Sequence, residues 1–168
     1  HISFFHLINH AFFKALLFLS AGSVIHALQD EQDMRKMGGL FKYLPITYVM
    51  MLIGSFSLMG MPFLTGFYSK EFILEVAFSQ YNNISLYIYW LGSLAALCTA
   101  FYSCRLIVLV FLTNPNIYKI VLKKIHESSW NLLLPLIILS FFSIFFGYFF
   151  REVFVGIGSD FFGFSIYI

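Results

Sequence analysis

Charge is scarce in this chain. Of 168 residues, 10 are Lys or Arg and 8 are Asp or Glu, so 11% are charged while 60% are hydrophobic. A water-soluble domain typically carries about 25% charged residues. A surface this poor in charge would aggregate in water, so lipid is the expected solvent over much of it. The net charge of +2 and the lack of a dense basic patch exclude a nucleic-acid-binding role. Cysteine is nearly absent. Cys98 and Cys104 lie in one apolar run and read as small packing residues. Six residues apart on a helix, they stand roughly 9 Å apart along the axis, too far for a disulfide.

The motifs of several enzyme classes are missing too. There is no glycine-rich phosphate loop, no CxxC pair and no HExxH, and Ser69 has no partners for a catalytic triad. Asp30, Glu31 and Asp33 resemble half of a calcium ligand set, but the loop lacks the glycine and terminal glutamate such a site needs. They read as a solvated turn. No metal, cofactor or catalytic nucleophile is expected in this chain. There is no initiator Met and no signal peptide before His1. The expectation is a fragment, or one part of a subunit divided between chains.

Long apolar runs and aromatics are plentiful, with 23 Phe and 10 Tyr. The fold expected is all-α, a polytopic bundle of about four spans including one broken helix. The first run is Ile2 to Leu28, long enough to cross a bilayer with some tilt. The second, Leu44 to Gln80, is longer than one straight span needs, and Gly60, Pro62 and Gly66 interrupt it. The third is Ile84 to Leu112, with Arg105 near its end. The fourth is Trp130 to Phe150, with Pro135 in its first turns. The tail 151–168 is too interrupted to count as a span. The whole reads as one membrane module.

Basic residues orient these spans. If 44–80 crosses once, loops 29–43 and 113–129 share a side. They then hold six of the ten basic residues: Arg35, Lys36, Lys42, Lys119, Lys123 and Lys124. The positive-inside rule therefore favours one broken span, with both loops on the cytoplasmic or matrix face.

Some residues stand out because the membrane makes them costly. Lys14 sits near the middle of the first run, where a lysine costs about 2.5–3.5 kcal/mol. Snorkelling serves lysines near helix ends, and Lys14 is not one. His6, His10 and Lys14 follow one another at i, i+4 and i+8, so they climb one helix face in steps of about 6 Å. Waters can bridge such steps. Histidine titrates near neutral pH, so a row of this kind can relay protons. The bland alternative, a hydrogen-bonded packing histidine, fits one His better than two with a lysine. His26, at the loop boundary, reads as an interfacial cap.

The second constellation is Lys70 with Glu71, just past the break. Glu71 lies about 100° round the helix from Lys70 and need not pair with it. An interfacial charged cluster is the competing reading. The break has its own meaning, because unwound backbone at membrane depth must be satisfied by protein or water. Broken helices build polar sites at the midplane of many transporters.

Four stretches carry a resemblance: HLINHAFFKALLFL at 6–19, AGSVIH at 21–26, DEQDMRKMGGL at 30–40 and GMPFLTGFYSK at 60–70. They closely resemble the antiporter-like subunit 5 family of the mitochondrial respiratory NADH:ubiquinone oxidoreductase, complex I. The match is close through about residue 80 and looser beyond. The resemblance implies proton translocation in the membrane arm, coupled to NADH oxidation and ubiquinone reduction in other subunits. It implies roles in the proton route for His6, His10 and Lys14 on the central polar axis. Lys70 matches the family lysine placed toward the intermembrane-space side, and Glu71 falls where the family has an acidic residue. The partners implied are other membrane-arm subunits of the inner mitochondrial membrane, lipids, and a polypeptide carrying the family's missing first half. Sodium/proton antiporter subunits share the lysine stripe. A non-pumping structural segment is the alternative of another class.

Overall fold

The computed structural model describes residues 2–117, 119–122 and 125–156. Among the described residues six α-helices follow in order: α1 Ile2–Ala27, α2 Pro45–Met59, α3 Thr65–Ser79, α4 Asn83–Ile107, the short α5 Lys119–Leu122 and α6 Trp130–Val155. A π-helical turn, Val108–Leu112, prolongs α4. Among the described residues there is no strand. Helices Ile2–Ala27, Asn83–Leu112 and Trp130–Val155 are long and apolar enough to cross a membrane. The fourth span is composite. Helices α2 and α3 have 15 residues each, about 22 Å apiece, and neither is long enough alone.

The contacts with α1 show that α2 and α3 run on in one direction. Ser23 meets Thr47 at 3.4 Å. Leu17 packs on Gly54, and His6 meets Ser69 at 3.0 Å. As residue numbers fall along α1 they rise continuously through α2 and α3, so the broken pair runs antiparallel to α1 in one direction. On α4, Thr99 meets Lys70, Cys104 meets Met59 and Phe111 meets Tyr48, so α4 is antiparallel to the broken pair. On α6, Ser143 meets Ser57 and Tyr148 meets Tyr68, so α6 runs parallel to it. The two basic loops share one end, where Asn116 donates to the carbonyls of Arg35 and Met37. Helix α6 continues to Val155, past the expected end at Phe150. Residues 157–168 of the tail, and Lys123 and Lys124, lie outside the described residues.

The packing is that of a membrane bundle. Ser20, Ser23, Thr47, Ser55, Ser57, Thr65, Ser69, Ser140 and Ser143 are buried between helices, while Leu7, Phe18, Trp90, Leu97 and Tyr148 face outward. Lipid is as apolar as leucine, so association relies on close approach and hydrogen bonds between helices. Small residues permit both. A Cβ on Gly147 would stand 2.7 Å from Thr65 Cα, and one on Gly66 would overlap the carbonyl oxygen of Ser57. At the loop end the core is conventionally apolar, with Leu28, Met37, Leu40, Leu44 and Phe111 buried together.

Candidate functional site

The break spans residues 60–64. Gly60 takes φ +86°, the left-handed conformation that ends a helix most cheaply when it is glycine. Its N–H donates to Phe56 O and Ser57 O, and the Met61 N–H donates to Phe56 O. Pro62 lies outside both helices and is exposed. Gly66 is buried in the first turn of α3, tight against α2. Three hydroxyl contacts moor this region to α6. Ser57 Oγ donates to Ser143 O at 3.0 Å and Thr65 Oγ1 to Phe142 O at 3.1 Å, and Thr65 Oγ1 accepts from the Gly147 N–H at 3.0 Å. The helix ends on either side of the break are thus tied to α6.

Lys70 returns to the break it follows. A helical side chain leans toward the N-terminus of its own helix, and this one reaches back far enough to leave Nζ 3.5 Å from both Leu58 O and Met59 O. Those carbonyls are the free C-terminal acceptors of α2, the negative end of its dipole. Thr99 Oγ1 on α4 is a third acceptor at 3.1 Å. The ammonium is therefore seated at the break itself.

The α1 stripe faces the same space. His6 and His10 have ring centroids 5.9 Å apart, and His10 meets Phe13 edge-on. Lys14 Nζ lies 5.5 Å from the centroid of the Phe18 ring. A cavity of about 240 Å³ is bounded by His6, His10, Lys14 and Lys70, with Ser57, Thr99 and Tyr102 adding hydroxyls. It has room for several waters. Four of the five candidate groups thus converge from α1 and α3. Glu71 does not join them: it is exposed on the outward face of α3, away from the lining. A smaller apolar cleft of about 180 Å³ runs on from Lys14 between Leu17, Met51 and Leu106.

Two features escaped the sequence reading. Glu127 reaches the N-terminus of α2, accepting from Ile46 N–H at 2.7 Å, Thr47 N–H at 3.4 Å and Thr47 Oγ1 at 3.0 Å. No local spacing announces a cap from so far along the chain. Asn9 is fully enclosed on α1, yet neither its amide nitrogen nor its oxygen has a hydrogen-bond partner. His26, expected as an interfacial cap, is exposed and lines a loop-side cavity with His126 and Glu127. Both thiols are free. Among the described residues, no cluster of His, Cys, Asp or Glu could hold a metal ion.

Residues 1–99 match the family described as NADH:quinone oxidoreductase/Mrp antiporter, TM. Residues 102–167 match that described as NADH dehydrogenase subunit 5 C-terminus. Among similar proteins, the NADH-ubiquinone oxidoreductase chain 5 of Acanthamoeba castellanii is 58% identical over 99% of this chain and 25% of its own length. That of Phytophthora infestans is 57% identical over the same shares. That of Metridium senile is 63% identical over 90% of this chain and 25% of its own length. The chain spans about a quarter of the length of the relatives it matches.

Proposed function

Because this chain belongs to the NADH:quinone oxidoreductase/Mrp antiporter transmembrane family, and matches the C-terminal part of its subunit 5 members, we propose that it carries part of a proton route through the membrane arm of respiratory complex I. Protons pass along His6, His10 and Lys14 and leave by way of Lys70. Oxidation of NADH and reduction of ubiquinone take place in other subunits of the same complex, in the inner mitochondrial membrane. The remainder of subunit 5 and the neighbouring membrane-arm subunits are the partners.

One observation carries the reading: four ionisable side chains from two helices line one cavity at a helix break. Ionisable groups inside a membrane are costly and mark ion pathways. The lining supplies hydroxyls and imidazoles that can pass a proton, and water can occupy the intervals. Glu71 faces outward, away from this cavity.

The test is replacement of Lys14 or Lys70 by Met in the intact complex, followed by measurement of protons pumped per electron in proteoliposomes. Both variants are expected to assemble and to lose pumping or coupled turnover. Assembled complexes with unchanged rate and stoichiometry would leave this segment a structural filler of the arm.

A further inference from the structure

Helix α2 is closed at both ends by side chains from elsewhere in the chain. Its own first residues cannot cap it: Leu44 at the N-cap has no side-chain acceptor, and Pro45 has no N–H. The donors left over are the N–H groups of Ile46 and Thr47. Glu127, some eighty residues further on, accepts from both with Oε1 and from Thr47 Oγ1 with Oε2. At the other end, the carbonyls of Leu58 and Met59 face the Lys70 ammonium. An anion thus stands at the positive end of the helix dipole and a cation at the negative end, about 22 Å apart.

This pairing gives Glu127 a part in the site. The seat of Lys70 is made of backbone carbonyls, so its position is that of α2. Along its length α2 packs Gly54 on Leu17 and bonds Ser57 to α6. Its loop-side end is fixed by Glu127, which is itself half-buried and set beside the hydroxyls of Thr47, Ser23 and Ser128. Losing the carboxylate frees the two amides and lets α2 slide or tilt, which moves Leu58 O and Met59 O against Lys70.

We propose that Glu127 is a positioning residue for Lys70, acting through α2 as a rod clamped between two charges. The proposal rests on the proton-route reading above, and the test keeps the two apart. In the intact complex, Glu127→Gln, Glu127→Asp, Lys70→Met and the Glu127→Gln/Lys70→Met pair are compared for protons pumped per electron, each normalised to assembled complex. Glu127→Gln keeps an acceptor and loses the charge. It is expected to lower the ratio toward that of Lys70→Met, because the charge that clamps the start of α2 is lost. Glu127→Asp, which keeps the charge on a shorter stem, is expected to recover much of it. The double variant is expected to behave as Lys70→Met alone, since both changes act on one seat. A cap with a merely structural role would change the amount of complex and leave the ratio unmoved. A normal ratio in Glu127→Gln, or additive losses in the double variant, would overturn the proposal while leaving the proton route standing. Normal pumping in Lys70→Met overturns the proton route, and the positioning role falls with it. If Glu127→Gln does not assemble, Thr47→Val decides the matter. Thr47→Val deletes the hydroxyl contacts to Oε2 and to Ser23, and a normal ratio in Thr47→Val overturns the proposal.

Discussion

His6 Nδ1 and Ser69 Oγ meet at 3.0 Å across 63 positions of sequence, joining the first rung of the α1 stripe to the residue before Lys70. The bond ties the two halves of the candidate route together. A neutral, partly buried hydrogen bond contributes about 0.5–1.5 kcal/mol. Ser69→Ala is therefore expected to give an assembled complex that disassembles at lower temperature on native gels, with pumping reduced less than in Lys70→Met. A larger loss of pumping than in Lys70→Met would mean that the hydroxyl itself carries the proton.

Glycine is needed at some positions of this bundle and not at others. A Cβ on Gly66 overlaps Ser57 O, backbone that cannot rotate away, whereas one on Gly22 meets nothing within 4 Å. Overpacking of this kind typically costs about 1–3 kcal/mol, and more where the neighbour is fixed. Gly66→Ala is expected to deplete assembled complex in a native-gel assay, and Gly22→Ala to leave its amount unchanged. Equal yields from the two would mean that the break is looser than its contacts indicate.

The enclosed carboxamide of Asn9 makes a prediction of opposite sign. An unpartnered buried amide is destabilising by about 1–3 kcal/mol, and an apolar group of similar shape removes that penalty. Asn9→Leu is expected to match or exceed the native thermal midpoint of the assembled complex. A lower midpoint would reveal a hydrogen-bond partner for Asn9, such as an enclosed water.

The loop at 30–36 is held by ion pairs at the surface. Lys36 donates to Glu31 at 3.0 Å, and Arg35 to Asp33 at 2.9 Å. The hydrogen bond from Lys36 is the main reason the Glu31 carboxyl titrates below its ordinary value, and that from Arg35 does the same for Asp33. Because both values are depressed in the folded chain, their contribution is complete above the ordinary carboxylate range. It is lost as pH falls through the lowered values. Both pairs are solvent-accessible, so the effect is small and weakens in high salt. Hydrogen-exchange protection factors at Arg35, Lys36 and Met37, with the intrinsic pH dependence divided out, are expected to hold from neutral pH down to the carboxylate range and to fall below it. A fall already near neutral pH would point to a histidine instead.

What was legible in the sequence was what depends on short spacing. His6, His10 and Lys14 share a face because four residues nearly complete a turn, and Glu71 departs from Lys70 because one residue does not. The break was legible from Gly60, Pro62 and Gly66, although their work divides differently. Gly60 makes the left-handed turn, Gly66 allows the close approach, and Pro62 stands outside both helices. The distribution of Lys and Arg favoured a single crossing by the broken pair, and the contacts with α1 show its two helices running in one direction. The return of Lys70 to the carbonyls of α2 was not legible, since side-chain reach depends on where the preceding helix stops. Nor was the cap from Glu127, because nothing in residues 44–47 says which distant acceptor will meet them.

The mooring of the break to α6 sets an order of birth. Ser143 and Phe142 accept from Ser57 and Thr65, and Glu127 holds the start of α2. All three acceptors lie beyond residue 120, so a ribosome makes the broken span well before its supports. Until Glu127 and α6 have been made, the Ile46 and Thr47 amides and the Ser57 and Thr65 hydroxyls lack these acceptors and must be sheltered by the insertion machinery. Nascent chains arrested before residue 127 are expected to crosslink to that machinery through the break, and chains arrested beyond Val155 to release it.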